Sequence, residues 1–172
     1  MGIKKGIKRG ILIGLVGISF LWGFDLKSNR VNVGIRVGDF NQNHKNYLYG
    51  GLKLGYYFML MPNKYRISNE VFIDGAQVVG NKYATMVDVG INWLTNLARP
   101  FDFFMGVRTG IIRRGDKNGH TWGVQGGLLY KVNKKEILEA GVSWDNIYDN
   151  PDPTNWGSSI VRSWVGVNFY GF

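Results

Sequence analysis

Cysteine is absent from the 172 residues, and prolines number only four and histidines two. Without cysteine there can be no disulfide framework, no thiolate metal site and no thiol nucleophile. The two histidines, His44 and His120, lie far apart in the chain. Long apolar runs are also missing. The clearest, Ile11 to Ile18, holds eight residues, well short of the roughly 20 that a helix needs to cross a bilayer. Acidic residues are few, twelve against twenty-one Lys and Arg, for a net charge of +9. Four of those cations, Lys4, Lys5, Lys8 and Arg9, crowd the first nine residues, and without them the charge is +5. The length suits one domain. What is abundant is glycine, with 25 residues, and aromatic side chains, 15% of the chain.

The N-terminus sets a basic stretch, MGIKKGIKRG, ahead of the apolar ILIGLVGI. That order is the order of a secretory signal. It predicts an exported protein with a leader over residues 1–23 and a single domain over 24–172. Gly17-Ile18-Ser19 is the best small-x-small cleavage triplet, and a stop after Gly23 is the second choice. A retained, buried or amphipathic N-terminal segment is the alternative.

From Arg30 onward no segment keeps a helical period, and apolar and polar residues alternate. A period of two means strands. Eight are predicted. In the first, Val31, Val33, Ile35 and Val37 oppose Asn32, Gly34, Arg36 and Gly38. The second spans 47–60, the third 65–77, the fourth 82–94 and the fifth 101–112. The sixth centres on Trp122 to Tyr130, the seventh on Leu138 to Trp144, and the eighth runs over 159–172. Short connections at 61–64 (MPNK), 95–100 and 132–135 alternate with others at 41–46, 78–81, 113–121 and 146–158. An even number of antiparallel strands with this spacing predicts an all-β fold, an eight-stranded up-and-down barrel.

The glycines decide which face is inside. Gly34, Gly38, Gly51, Gly55, Gly90, Gly106, Gly110, Gly123, Gly127 and Gly141 share the face that carries the charges. An eight-stranded interior is only wide enough for side chains to fill, so the glycine-rich face belongs inside and the Leu, Val, Phe and Trp face outside. Such an outer surface exceeds the apolar patch a soluble monomer tolerates, and a lipid bilayer is its expected surrounding. Aromatics at the strand ends predict two interface girdles. Phe58, Tyr65, Trp93, Phe101, Phe103 and Tyr130 form the one at the tight turns; Trp122, Trp144 and Tyr83 form the other.

With this strand count, loop pattern and leader, the chain resembles the small bacterial outer-membrane β-barrels of the OmpX and OmpA transmembrane type, over roughly Arg30 to Phe172. The resemblance implies the outer membrane as location and the barrel-assembly machinery as partner. It also implies that Phe172 and Tyr170, with Trp164 on the same parity, resemble the terminal aromatic signal which that machinery reads. Asn168 and Gly166 depart from the pattern, while Val161, Val165, Val167 and Phe169 hold the opposite parity. Either the strand bulges near Gly166 or the terminal match is partial.

Ions inside a barrel must pair, because burying one alone costs several kcal/mol. The expected lumen network is Arg36, Lys53, Arg66, Arg108 and Arg162 against Glu70, Asp74, Asp88, Asp102, Glu139 and Asp145. If Leu60 faces Asn63 in the first turn, Lys53 falls opposite Glu70. Asp88 then lies opposite or diagonal to Arg108, and Asp145 faces Arg162 near Arg36. Arg113, Arg114, Lys117 and His120 cluster in the third loop as a candidate anion site for lipopolysaccharide phosphates. No basic stripe interleaved with stacking rings suggests nucleic acid, and no metal or cofactor is expected. Barrels of this size include lipid A acyltransfer and deacylation enzymes, yet only His120 with Ser143 and Glu139 or Asp145 could be imagined as catalytic. The expected role is structural or surface-binding, in adhesion or envelope integrity, with a plugged charged lumen. A lipid A-modifying enzyme and a narrow channel are the rivals.

Overall fold

The computed structural model describes residues 30–58, 67–79, 84–98, 100–133, 135–149 and 157–170. Alternation over these stretches builds eight strands: β1 Arg30–Gln42, β2 Lys45–Phe58, β3 Ser68–Val79, β4 Ala84–Ala98, β5 Phe101–Arg114, β6 Lys117–Lys131, β7 Glu136–Ile147 and β8 Ser159–Tyr170. Each pairs antiparallel with its sequence neighbour, and β8 closes on β1. The predicted leader, Tyr65, Arg66, Tyr83 and Phe172 lie outside the described residues.

The pairing register fixes the shape. A ladder row that leaves β1 at Val31 passes through Tyr56, Val71, Ile91, Val107, Val124, Trp144 and Val161, and returns to β1 at Asn41, ten residues further on. At about 3.3 Å per residue and about 4.8 Å between strands, that stagger tilts the strands by roughly 40°. Points at one height therefore step back by a little more than one residue per strand. Gly50, Gly75, Val87, Trp122 and Trp144 share one level on this count.

Several connections differ from their predicted extents. The supposed nine-residue loop at 113–121 is ladder instead, with Arg114 paired to Lys117 and only Gly115 and Asp116 between the strands. Likewise β1 and β2 meet at Asn43 and His44, whose φ of 51° and 59° suit a tight hairpin of the primed type. At the opposite end of β2, the pairing with β3 sets Phe58 opposite Asn69. As a result Lys53 lies opposite Asp74, and Glu70 opposite Tyr57. The register differs by four residues from the one that a Leu60–Asn63 turn implies. Four is even, so every side chain keeps its face.

The faces are as the glycines indicate. Leu52, Val89, Val107 and Val142 are about half exposed on the outer surface, whereas Arg36, Lys53, Arg108 and Arg162 are buried within. Inward bulk alternates with inward glycine from strand to strand. Arg36 lies between Gly51 and Gly166, Arg108 between Gly90 and Gly123, and Trp164 between Gly38 and Gly141. The interior surface is smaller than the exterior, so a second bulky residue has no room. A Cβ added at Gly90 would stand 2.5 Å from Phe72 Cζ, and one at Gly141 2.5 Å from Trp164 Cζ2.

Candidate functional site

Inward side chains fill the lumen in three layers. Nearest the hairpin of β5 and β6, Phe40, Val78, Ala84, Met86, Ile112, Ile147 and Ile160 form a buried apolar cap. At the opposite end Leu94, Phe104 and Leu129 are buried with Tyr57 and Tyr170, whose ring centroids are 5.3 Å apart. Between these layers lie four cations, Arg36, Lys53, Arg108 and Arg162, and five carboxylates, Glu70, Asp74, Asp88, Glu139 and Asp145.

Two guanidiniums bracket two carboxylates in the upper part of this ionic layer. Arg108 Nε donates to Asp145 Oδ1 at 2.8 Å and its Nη2 to Asp88 Oδ2 at 3.2 Å. Arg162 gives Nη1 to Asp88 Oδ2 at 2.9 Å and Nη2 to Asp145 Oδ2 at 2.8 Å. Lower down, Lys53 Nζ lies 3.0 Å from Glu70 Oε1 and 2.8 Å from Glu139 Oε2. Arg36 joins Asp74 at 2.8 Å, also pairs with Glu139, and stacks 4.9 Å over the Trp164 ring. Neutral amides connect the two parts. Arg108 donates to Gln125, Gln125 to Asn92 at 2.6 Å, and Asn92 to Glu70 at 2.7 Å. Asn168 and the Trp164 indole N–H both donate to Glu139 at 2.7 Å. Each desolvated charge thus meets opposite charge and dipoles, the condition under which ions persist at low dielectric.

Of the predicted partners, Lys53 and Glu70 do pair, although they are not direct cross-strand neighbours. Asp88 pairs with Arg108 on the diagonal, and Asp145 pairs with Arg162 although Ser143 is the residue opposite Arg162. Asp102 stands apart near the turn end, where Lys131 pairs with it. The charge pattern alone missed Asn32, Asn92, Gln125, Ser143, Trp164 and Asn168. Their signal was parity, since all share the inward face with the ions.

No protein-family model matches the sequence, and neither does any curated protein. Solved structures do match. The Neisserial surface protein A structure aligns with a TM-score of 0.57 at 13% identity, covering 82% of this chain and 96% of that one. Ail of Yersinia pestis, solved with the heparin analogue sucrose octasulfate, aligns at 0.53 and 9% identity, covering 83% and 97%. A major outer membrane protein of Thermus thermophilus aligns at 0.52 and 9%, covering 84% and 100%. The fold is that of the small eight-stranded outer-membrane β-barrels.

Among the described residues the predicted girdle aromatics lie at two levels, the second represented by Trp122 and Trp144 on the adjacent strands β6 and β7. Trp93, Phe101 and Tyr130 are exposed toward the turn end, and Trp122 packs edge-on to Trp144 at 5.8 Å toward the other, but Phe58 is buried. The last strand carries no bulge, because its pairings with β7 and β1 run without a break. Trp164, Asn168 and Tyr170 consequently point into the lumen, and Val161, Val165 and Phe169 face outward. Tyr170 and Trp164 thus share one parity as expected, but it is the inward one, and the apolar residues of the strand hold the other.

The basic cluster divides between the two faces. Arg113 and His120 have the outward parity of Ile111, and Arg114 and Lys117 the inward one. Arg114 reaches across the mouth to donate to Gln42 of β1 at 3.0 Å. His120 pairs with Asp149 at 3.3 Å and stacks on Tyr148. Ser143 instead bonds Asp145 inside the lumen at 3.2 Å, so the structure does not bring His120 and Ser143 together.

Proposed function

We propose that this chain is an integral protein of the bacterial outer membrane with a structural or surface-binding role, a closed lumen and no catalytic activity. Its location follows from the fold and from the apolar band around the outside. The closed lumen rests on one observation: the ionic layer lies between two buried apolar layers, so a hydrated ion would have to displace Phe40, Ile112 and Ile160 at one end and Phe104, Leu129 and Tyr170 at the other. A surface-binding role draws support from the Arg114 and Lys117 hairpin tip at the mouth and from the fold neighbour Ail, solved with a sulfated sugar. The test is reconstitution into planar bilayers, with lipid A from expressing cells examined by mass spectrometry. No single-channel steps and an unchanged lipid A mass are expected. Discrete steps would establish a channel, and a lipid A mass shift that depends on the protein would establish an enzyme.

A further inference from the structure

Outward glycines are uncommon on this barrel, and two of them are neighbours. Gly50 of β2 and Gly75 of β3 lie on the lipid-facing parity, flanking Leu52, which pairs with Gly75. A Cβ built at Gly75 meets nothing within 4 Å, and one at Gly50 meets only the Arg36 carbonyl oxygen at 4.0 Å. Between walls that include Leu52 and Val87 they leave a groove of about 470 Å³ in the outer surface. By the ladder stagger the groove sits at the level of Trp122 and Trp144, where hydrocarbon gives way to headgroups.

Polar side chains lie at the loop end of this groove. Gln77 lines it, pairs across the ladder with Thr85, and Thr85 pairs in turn with Arg113, all three exposed and on the lipid-facing parity. Arg113 is oriented by its Nε, which donates to the Gly115 carbonyl at 3.1 Å, a bond that uses neither of its Nη groups. On the loop side of the Trp122 and Trp144 level this amide and guanidinium meet the headgroup region, where their donors find acceptors. A phosphate supplies them: Arg offers a planar fork of donors, and Gln and Thr add neutral ones. Asp39 stands on the opposite, β1 flank. A larger groove of about 660 Å³ around Ala140 has Tyr130 and Glu139 as the polar side chains of its described lining, with no arginine, glutamine or threonine among them.

We propose that the Gly50–Gly75 groove seats an acyl chain of lipid A, whose phosphate is held by Arg113 with Gln77 and Thr85. This rests on the outer-membrane reading above, and one preparation separates the two. Protein from membrane fractions is first checked for outer-membrane fractionation and for heat-modifiable migration. It is then mixed in detergent with lipid A, with dephosphorylated lipid A or with phosphatidylglycerol, and retained adducts are read by native mass spectrometry.

One lipid A should be retained in preference to the other two. Gly75→Leu, which fills the groove without touching the lumen, and Arg113→Gln should each lower retention about tenfold. Ala140→Leu should leave it unchanged. Heat-modifiability of every variant shows that it is folded. Equal retention of phosphatidylglycerol or of dephosphorylated lipid A, or retention unaffected by Gly75→Leu, would overturn the groove assignment while leaving the outer-membrane reading intact. Fractionation away from the outer membrane would overturn both.

Discussion

Replacing Lys53 with Met removes the one ammonium in the ionic layer and withdraws it from two carboxylates at once. Lys53 is 2% exposed and bonded to Glu70 at 3.0 Å and Glu139 at 2.8 Å. Removing one partner of a buried pair costs about 3–5 kcal/mol, most of it from the charge left behind. Both carboxylates keep other donors here: Glu70 has Asn32 and Asn92, and Glu139 has Arg36, Trp164 and Asn168. The expected loss is therefore at the lower end, about 3 kcal/mol. Adding Glu70→Gln removes part of the stranded charge, so the double variant should lose less than the sum of the single losses, with a coupling of about 1–3 kcal/mol. A second cycle supplies the contrast. Asp74 is the direct cross-strand neighbour of Lys53, yet its carboxylate bonds Arg36 instead. Lys53→Met with Asp74→Asn should couple by less than half as much. Urea unfolding of the folded protein in liposomes, followed by tryptophan fluorescence, measures both cycles. Additive losses for Lys53 and Glu70, or stronger coupling to Asp74, would refute the assignment of the ion pairs.

Leu at Gly90 should destabilise the barrel by about 1–3 kcal/mol through overpacking against Phe72, whereas Ala at outward Gly75 should change stability by no more than about 0.5 kcal/mol; the same unfolding assay compares them. Arg in place of Val107, which faces lipid in mid-band, should cost about 2–4 kcal/mol, and a smaller loss than Arg produces near the rim at Thr85 would contradict the placement of the band. Val at His44 should cost about 1–2 kcal/mol because a β-branched residue resists positive φ, while Gly at His44 should be nearly neutral; equal effects would argue against the tight Asn43–His44 turn. Export predicts a mature N-terminus between Phe20 and Phe24, and intact-mass analysis showing a retained Met1 would remove the leader.

Alternation was enough to read the strands, the closed antiparallel class and the side on which each residue lies. Side-chain parity is set within a strand by the pleat, so Arg36, Asp88 or Glu139 can be placed inside with no knowledge of partners. The glycines strengthened that reading because bulk is excluded on only one side of a narrow barrel. Register is a different kind of quantity. It depends on how each connection folds, and β2 pairs with β3 four residues away from the register that a Leu60–Asn63 turn implies. The shift preserved the inward face and changed every partner along it, giving Lys53 Asp74 as its neighbour while its long side chain still reached Glu70. The apolar cap was likewise visible only after closure, since Phe40, Met86, Ile112 and Ile160 come from four strands that the ladder brings to one height. Residue chemistry and a period of two determined which side chains share the lumen; the stagger of the closed sheet decided which of them meet.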